Sequence, residues 1–105
     1  MILIGQWQTA LIDVSEDDDL TAEVNLGREA DFLLVEVPTM NATDIQIWVA
    51  RTTGGTFYQL PEAITGAGTG QVMLTFDIGG FQFIKIGTSV VQTADRTLRV
   101  IGGRT

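Results

Sequence analysis

The 105-residue sequence contains no cysteine and no histidine. The first absence excludes disulfides, thiolate nucleophiles and cysteine-ligated zinc, and leaves the redox compartment unmarked. The second removes the side chain best suited to proton transfer near neutral pH and the commonest imidazole ligand. Ser–His and Cys–His catalysis are therefore excluded. Proline is scarce, at two residues, and basic residues number only six. The apolar runs "MILI" and "FLLV" are far too short to span a bilayer, so no membrane segment is expected. The N-terminus lacks a basic region, and Gln6 and Gln8 interrupt its apolar stretch, so no signal peptide is expected.

What is present suits a folded domain. Apolar residues make up 45% and charged residues 18%, outside the disordered range, and the length allows one hydrophobic core rather than two. The net charge is −7. Between Asp13 and Asp44 lie ten acids and one base, Arg28. Such a surface repels phosphate backbones, which argues against nucleic acid as a partner and for a basic surface or a cation.

The dominant period is two. Leu20, Ala22, Val24 and Leu26 alternate with polar residues up to Gly27, which predicts a half-buried strand ending there. "DFLLVEV" is apolar on both faces, as a central strand is, and Pro38 stops it. In "TDIQIWVAR", Ile45, Ile47 and Val49 share one face and Gln46, Trp48 and Ala50 the other. "TTGGT" predicts a hairpin, with "TFYQL" as the returning strand. "PEAITGAGTGQ" reads as a loop, and "GAGTG" lacks the lysine and the strand-to-helix setting of a phosphate loop. "VMLTFDI", a two-glycine break, "GGFQFIKIG" and "RTLRVIG" complete the pattern. The expectation is an all-β single-domain antiparallel β-sandwich of about eight strands, of which a jelly roll is one form. Residues 1–12 are either an N-terminal arm or a first strand, and residues 13–105 the sandwich.

Five segments, in order, resemble a group of small virion-associated proteins of tailed bacteriophages and prophages: "AEVNLG" (22–27), "EVPTMNATDIQIWV" (36–49), "RTTGGTFYQL" (51–60), "GGFQFIKIGTS" (79–89) and "VQTADRTLRVIG" (91–102). The chain departs from their pattern at Gln82, where a basic residue is usual, and at Gly79–Gly80, a shorter approach. The resemblance implies a β-sandwich virion protein of the capsid-decoration or cement type, assembled in the bacterial cytoplasm. Its implied partners are the major capsid protein or other virion proteins. A homo-oligomer is the default, and a trimer suits a lattice threefold. No enzyme activity and no cofactor are implied.

Candidate sites follow from residue type. Asp95 and Arg96 stand before the last strand. Period two puts Arg96 on the face of Leu98 and Val100, where its stem lies on apolar neighbours and its guanidinium stays at the rim. The pair is expected to form a structural clasp: Asp95 through an Asx-type turn, Arg96 through a carboxylate or loop carbonyls. Asp17 and Asp19, in "DVSEDDD", could offer oxygens to calcium, but no glycine or bidentate Glu completes such a loop, so a solvated connection is the stronger reading. Ile2, Ile4, Trp7, Trp48 and Tyr58 are candidates for an interface, the first two through an arm that adds to a neighbour's sheet edge. Trp48 and Tyr58 also define the alternative reading, an aromatic platform for carbohydrate. Glu36, Glu62 and Asp77 are carboxylates whose pairing could hydrolyse a glycoside, though thirteen acids guarantee accidental pairs.

Overall fold

The computed structural model describes residues 3–41, 43–68 and 71–104, the side chains of 3–4 and 61–68 excepted. It holds seven strands and, among the described residues, no helix: β1 (Leu3–Ile4), β2 (Gln8–Ile12), β3 (Val24–Val37), β4 (Thr43–Ala50), β5 (Tyr58–Gly68), β6 (Val72–Thr88) and β7 (Arg96–Arg104). All pairings are antiparallel, in the order β1-β7-β3-β6-β4-β5, with β2 also on β7.

Two long strands make this connected sheet into two layers. The second half of β3 lies between β6 and β7: Val35 faces Leu74 on one side and Val100 on the other. The second half of β6 instead lies between β4 and the start of β3: Ile84 faces Val49 and Val24. Each strand thus crosses from one layer to the other. The β3 register slips between Asn25 and Phe32, and β6 turns at Gly79 and Gly80, whose φ angles of 71° and 96° favour glycine. The layers close on one core that takes Ile45, Ile47 and Val49 from β4, Ile84 and Ile86 from β6, Leu33 and Val35 from β3, and Leu98 and Val100 from β7.

The expectation of an all-β sandwich holds, with three changes in detail. Gly27, at φ 87°, does not end a strand: β3 runs through it as a bulge. The two-glycine break likewise leaves β6 continuous over 17 residues. In both cases glycine bends the ladder where it was expected to stop it, and this lowers the strand count to seven. Finally, "PEAITGAG" is not a loop but belongs to β5. β5 pairs only with β4 and is an edge, and Pro61 falls where the register slips between Ala63–Gln46 and Gln59–Trp48. An edge bulge is a place where a residue without an N–H is tolerated.

The N-terminal segment pairs with β7 through β1 and β2. Leu3 and Ile4 face Arg104 and Gly103, and Gln8–Ile12 face Val100–Arg96. Ala10 and Ile12 are fully buried in the common core.

Candidate functional site

The entrance of β7 is a polar junction. Arg96 is half-buried; its Nε donates to Gln92 Oε1 at 3.2 Å and its Nη2 to Asn41 Oδ1 at 2.9 Å. Gln92, only 3% exposed, also accepts from the Asn41 N–H at 2.9 Å and donates to the Val90 carbonyl at 3.1 Å. Asn41 Oδ1 accepts further from the Thr93 N–H and hydroxyl. Asp95 does not close its own turn. Its Oδ1 accepts the Val14 N–H at 3.0 Å, across 81 residues. Arg96 thus binds side-chain amide oxygens where a carboxylate or loop carbonyls were expected. The reason is Gln92: a buried amide must find partners, and the guanidinium supplies donors to two amide oxygens at once.

This junction ties three loops into one end of the sandwich. The Gln92 N–H reaches the Asp18 carbonyl, the Thr88 N–H the Asp19 carbonyl and the Ser89 N–H the Asp44 carbonyl. Val14, Val90 and Val91 stand exposed on these loops. Around them lie Asp13, Glu16, Asp17, Asp18, Asp19 and Asp95. The carboxylates of Asp17, Asp18 and Asp19 are exposed and lie within 4.8 Å of one another. Hydrogen bonding to Asp17, then burial and the charges of Asp17 and Asp18, raise the Asp19 carboxyl above its ordinary value. The Ser15 hydroxyl and N–H on Asp13 lower that carboxyl.

The aromatic candidates separate. Tyr58 faces Val49 in the β4–β5 ladder and Trp48 faces Gln59, so Trp48 and Tyr58 lie on opposite faces and share no platform. Trp48 is half-buried on the outer face; a Cβ on Gly87 would lie 2.9 Å from its Nε1. Trp7 is 40% exposed, with the Arg99 guanidinium 5.5 Å from its ring centre. The main chain of Ile4 pairs with Gly103, but its side chain, like Ile2 as a whole, lies outside the described residues. Val72 and Met73, the latter 54% exposed, begin β6 at the edge of the layer it forms with β3 and β7.

Glu36 and Asp77 are both exposed on the β3–β6 ladder, but Glu36 faces Met73 and Asp77 faces Phe32. Four residues of ladder separate their main-chain positions, about 13 Å at ~3.3 Å per residue, so they are not cross-strand neighbours. The Glu62 side chain lies outside the described residues.

The β4–β5 hairpin and the β6 bend meet at the opposite end from the acidic loops. A cleft of about 500 Å³ opens there, floored by Val49, Leu60 and Phe81 and walled by Tyr58. Arg51, Thr52 and Thr56 form its rim. An adjoining hollow of about 460 Å³ shares Arg51 and Phe81 and adds Glu29 and Gln82. The rim is anchored from outside: Glu23 accepts from the Thr53 hydroxyl at 2.6 Å and the Gly54 N–H at 2.7 Å. Those two bonds, with the nearby Lys85 charge, lower the Glu23 carboxyl. Neither Gln92 nor Glu23 stood out in the sequence, because nothing local marks a buried amide or a carboxylate that reaches a hairpin 30 residues away. The cleft escaped for the same reason: it exists only where β4, β5 and the β6 bend meet.

No protein-family model matches the chain, and no curated protein matches it in sequence. Solved structures do share its fold. The SPBc2 prophage-derived protein YomS superposes with a TM-score of 0.54 at 14% identity, covering 93% of this chain and 95% of its own. The family 32 carbohydrate-binding module of C. perfringens NanJ, solved with galactose, gives a TM-score of 0.57 at 14% identity, covering 96% and 99%. Chitosan-binding module 1 of a Paenibacillus sp. IK-5 chitosanase/glucanase gives 0.51 at 16% identity, covering 80% and 66%.

Proposed function

We propose that the chain is a non-catalytic structural protein of a tailed-phage particle, which seats on the major capsid protein or another virion component as a homo-oligomer. The observation that carries this reading is the valine-centred acidic end. Exposed apolar side chains ringed by like charges mark a docking surface for a partner with an apolar centre and a basic rim. The hydrogen bonds that lock its three loops reduce the ordering cost of docking. The five-segment resemblance and the shared fold of prophage-derived YomS support a phage setting. The separation of Glu36 from Asp77 and the absence of histidine and cysteine support a binding role over catalysis. A contact that is weak for one copy becomes strong when linked copies share a lattice.

The test is to add the purified protein to particles that lack it, and to follow co-sedimentation and the particle's disruption temperature. The expected result is saturable binding that Val90→Ser with Val91→Ser weakens and that salt weakens further. A protein that stays in solution at every concentration sinks the reading.

Carbohydrate binding is the second reading. It loses the joint Trp48–Tyr58 platform and stands instead on the cleft beside Arg51. The fold it shares with the NanJ module and the chitosan-binding module supports it.

A further inference from the structure

The cleft has a composition that selects a ligand class. Its floor of Val49, Leu60 and Phe81 and the wall of Tyr58, 69% exposed, offer apolar and aromatic surface. Exposed tyrosine and half-buried phenylalanine suit the C–H face of a pyranose ring, which is flat and apolar enough to lie on an aromatic plane. A volume of about 500 Å³ falls within the ~300–1,000 Å³ of small-ligand sites. The polar lining is Arg51, Thr52 and Thr56, groups that can meet the hydroxyls of a ring resting on the apolar side chains.

Charge narrows the class further. Arg51 is one of only six basic residues and is exposed with no carboxylate partner among the described residues. Glu29, in the adjoining hollow, is likewise exposed and without an ion-pair partner there. Among the described residues the cleft and the adjoining hollow together present one cation, Arg51, and one anion, Glu29, and so no net charge, although the whole protein carries −7. A uronate or sialate carboxylate would gain from Arg51 and lose to Glu29 and to the overall field. A neutral polyol uses both: the guanidinium donates to adjacent hydroxyls and the carboxylate accepts from others. Gln82 adds to this set. Its Nε2 is held by Asn25 Oδ1 at 2.9 Å, which leaves its carbonyl oxygen as a further acceptor.

We propose that the cleft between the β4–β5 hairpin and the β6 bend binds a neutral sugar, stacked on Tyr58 and Phe81 and oriented by Arg51, Glu29 and Gln82. This rests on the carbohydrate reading and is independent of how the acidic end seats on a particle. Both surfaces can act at once because they lie at opposite ends of the molecule. The sugar would be a surface glycan presented to the exposed end of a docked copy.

The test is titration of the ¹⁵N-labelled full chain with glucose, galactose and N-acetylglucosamine, their β-linked dimers, and galacturonate and N-acetylneuraminate as acidic comparators. The expected result is saturable shifts at Arg51, Thr52, Thr56, Phe81 and Gln82 with a neutral sugar. Arg51→Ala and Tyr58→Ala should each weaken binding about tenfold with an unchanged melting temperature, since both side chains are exposed. Tighter binding of an acidic sugar at the cleft would overturn the neutral class while sustaining the carbohydrate reading. Shifts that map to the Trp48 face would overturn the site. No response to any sugar at millimolar concentration would overturn both the inference and the reading beneath it.

Discussion

Arg96 Nη2 donates to Asn41 Oδ1 across 2.9 Å and joins the start of β7 to the turn between β3 and β4, 55 residues earlier in the chain. The guanidinium gives the amide network two of its hydrogen-bond donors. Removing it leaves Gln92 Oε1 and Asn41 Oδ1 each short of one donor in a half-dry setting. Arg96→Ala is expected to lower stability by about 2–3 kcal/mol, as the loss of charge-assisted bonds next to buried acceptors does. Arg96→Lys should recover part of this. Thermal melts of the two variants check it; an unchanged melt with lost particle binding would make Arg96 a contact residue instead.

Gly103 faces Phe32 across the β3–β7 ladder, and a Cβ there would come within 2.1 Å of the phenyl ring. Gly103→Ala therefore forces the ring out of its place, at about 1–3 kcal/mol. Phe32→Leu in the same chain should return much of the loss, because the shorter side chain vacates the space. A double-mutant cycle read by chemical denaturation measures the coupling; additive effects would show that the ring moves aside freely.

Gly79 sits at φ 71° where β6 changes layers. Gly79→Ala has open space for its methyl group, so any cost is conformational, about 1 kcal/mol. A loss of that size, with unchanged near-ultraviolet dichroism, would show that the bend survives and only its ease is affected.

Asp19 carries a raised carboxyl, so folding takes up protons there as pH falls through that raised value, and the charged form is the less stable one at neutral pH. Asp19→Asn, which keeps the main-chain acceptor for the Thr88 N–H, should raise the melting temperature in dilute buffer. The gain should fade near 1 M salt, where screening falls to about 3 Å. A lower melting temperature in dilute buffer would mean that the carboxylate is used, not merely tolerated.

Glu23 behaves in the opposite sense. Its carboxyl is held low, so its grip on Thr53 and Gly54 is complete above the ordinary carboxylate range and is lost as pH falls through the lowered value. The Gly54 amide proton should report a titration midpoint below that of an ordinary glutamate, and Glu23→Gln should remove the transition. Since this grip carries the cleft's rim, sugar affinity should decline over the same interval.

Much of the framework was legible in the chain. The Ile45–Ile47–Val49 alternation, the stop at Pro38, the hairpin at Gly54 and the inward phase of Arg96 are local patterns set by strand geometry. Continuity was harder to read. Glycine at 27 and at 79–80 bends a strand or ends it according to whether a neighbouring strand follows the bend, and that neighbour is distant in sequence. The same holds for Pro61, acceptable only because β5 is an edge. The candidate sites divide in the same way. Arg96 could be placed from its phase, whereas its partners Asn41 and Gln92, and the meeting of Arg51, Glu29 and Tyr58, arise from long-range pairing that a local pattern does not encode.

β3 and β6 each spend part of their length in one layer and part in the other. Neither layer can therefore peel away while its companion stays intact, because two of its strands are rooted across the bend. Amide protons of β4 and β7, on opposite sides of the core, should exchange through the same global opening, with no half-open species between. A pull on one end of a molecule would reach its other end through continuous main chain as well as through the packing between layers.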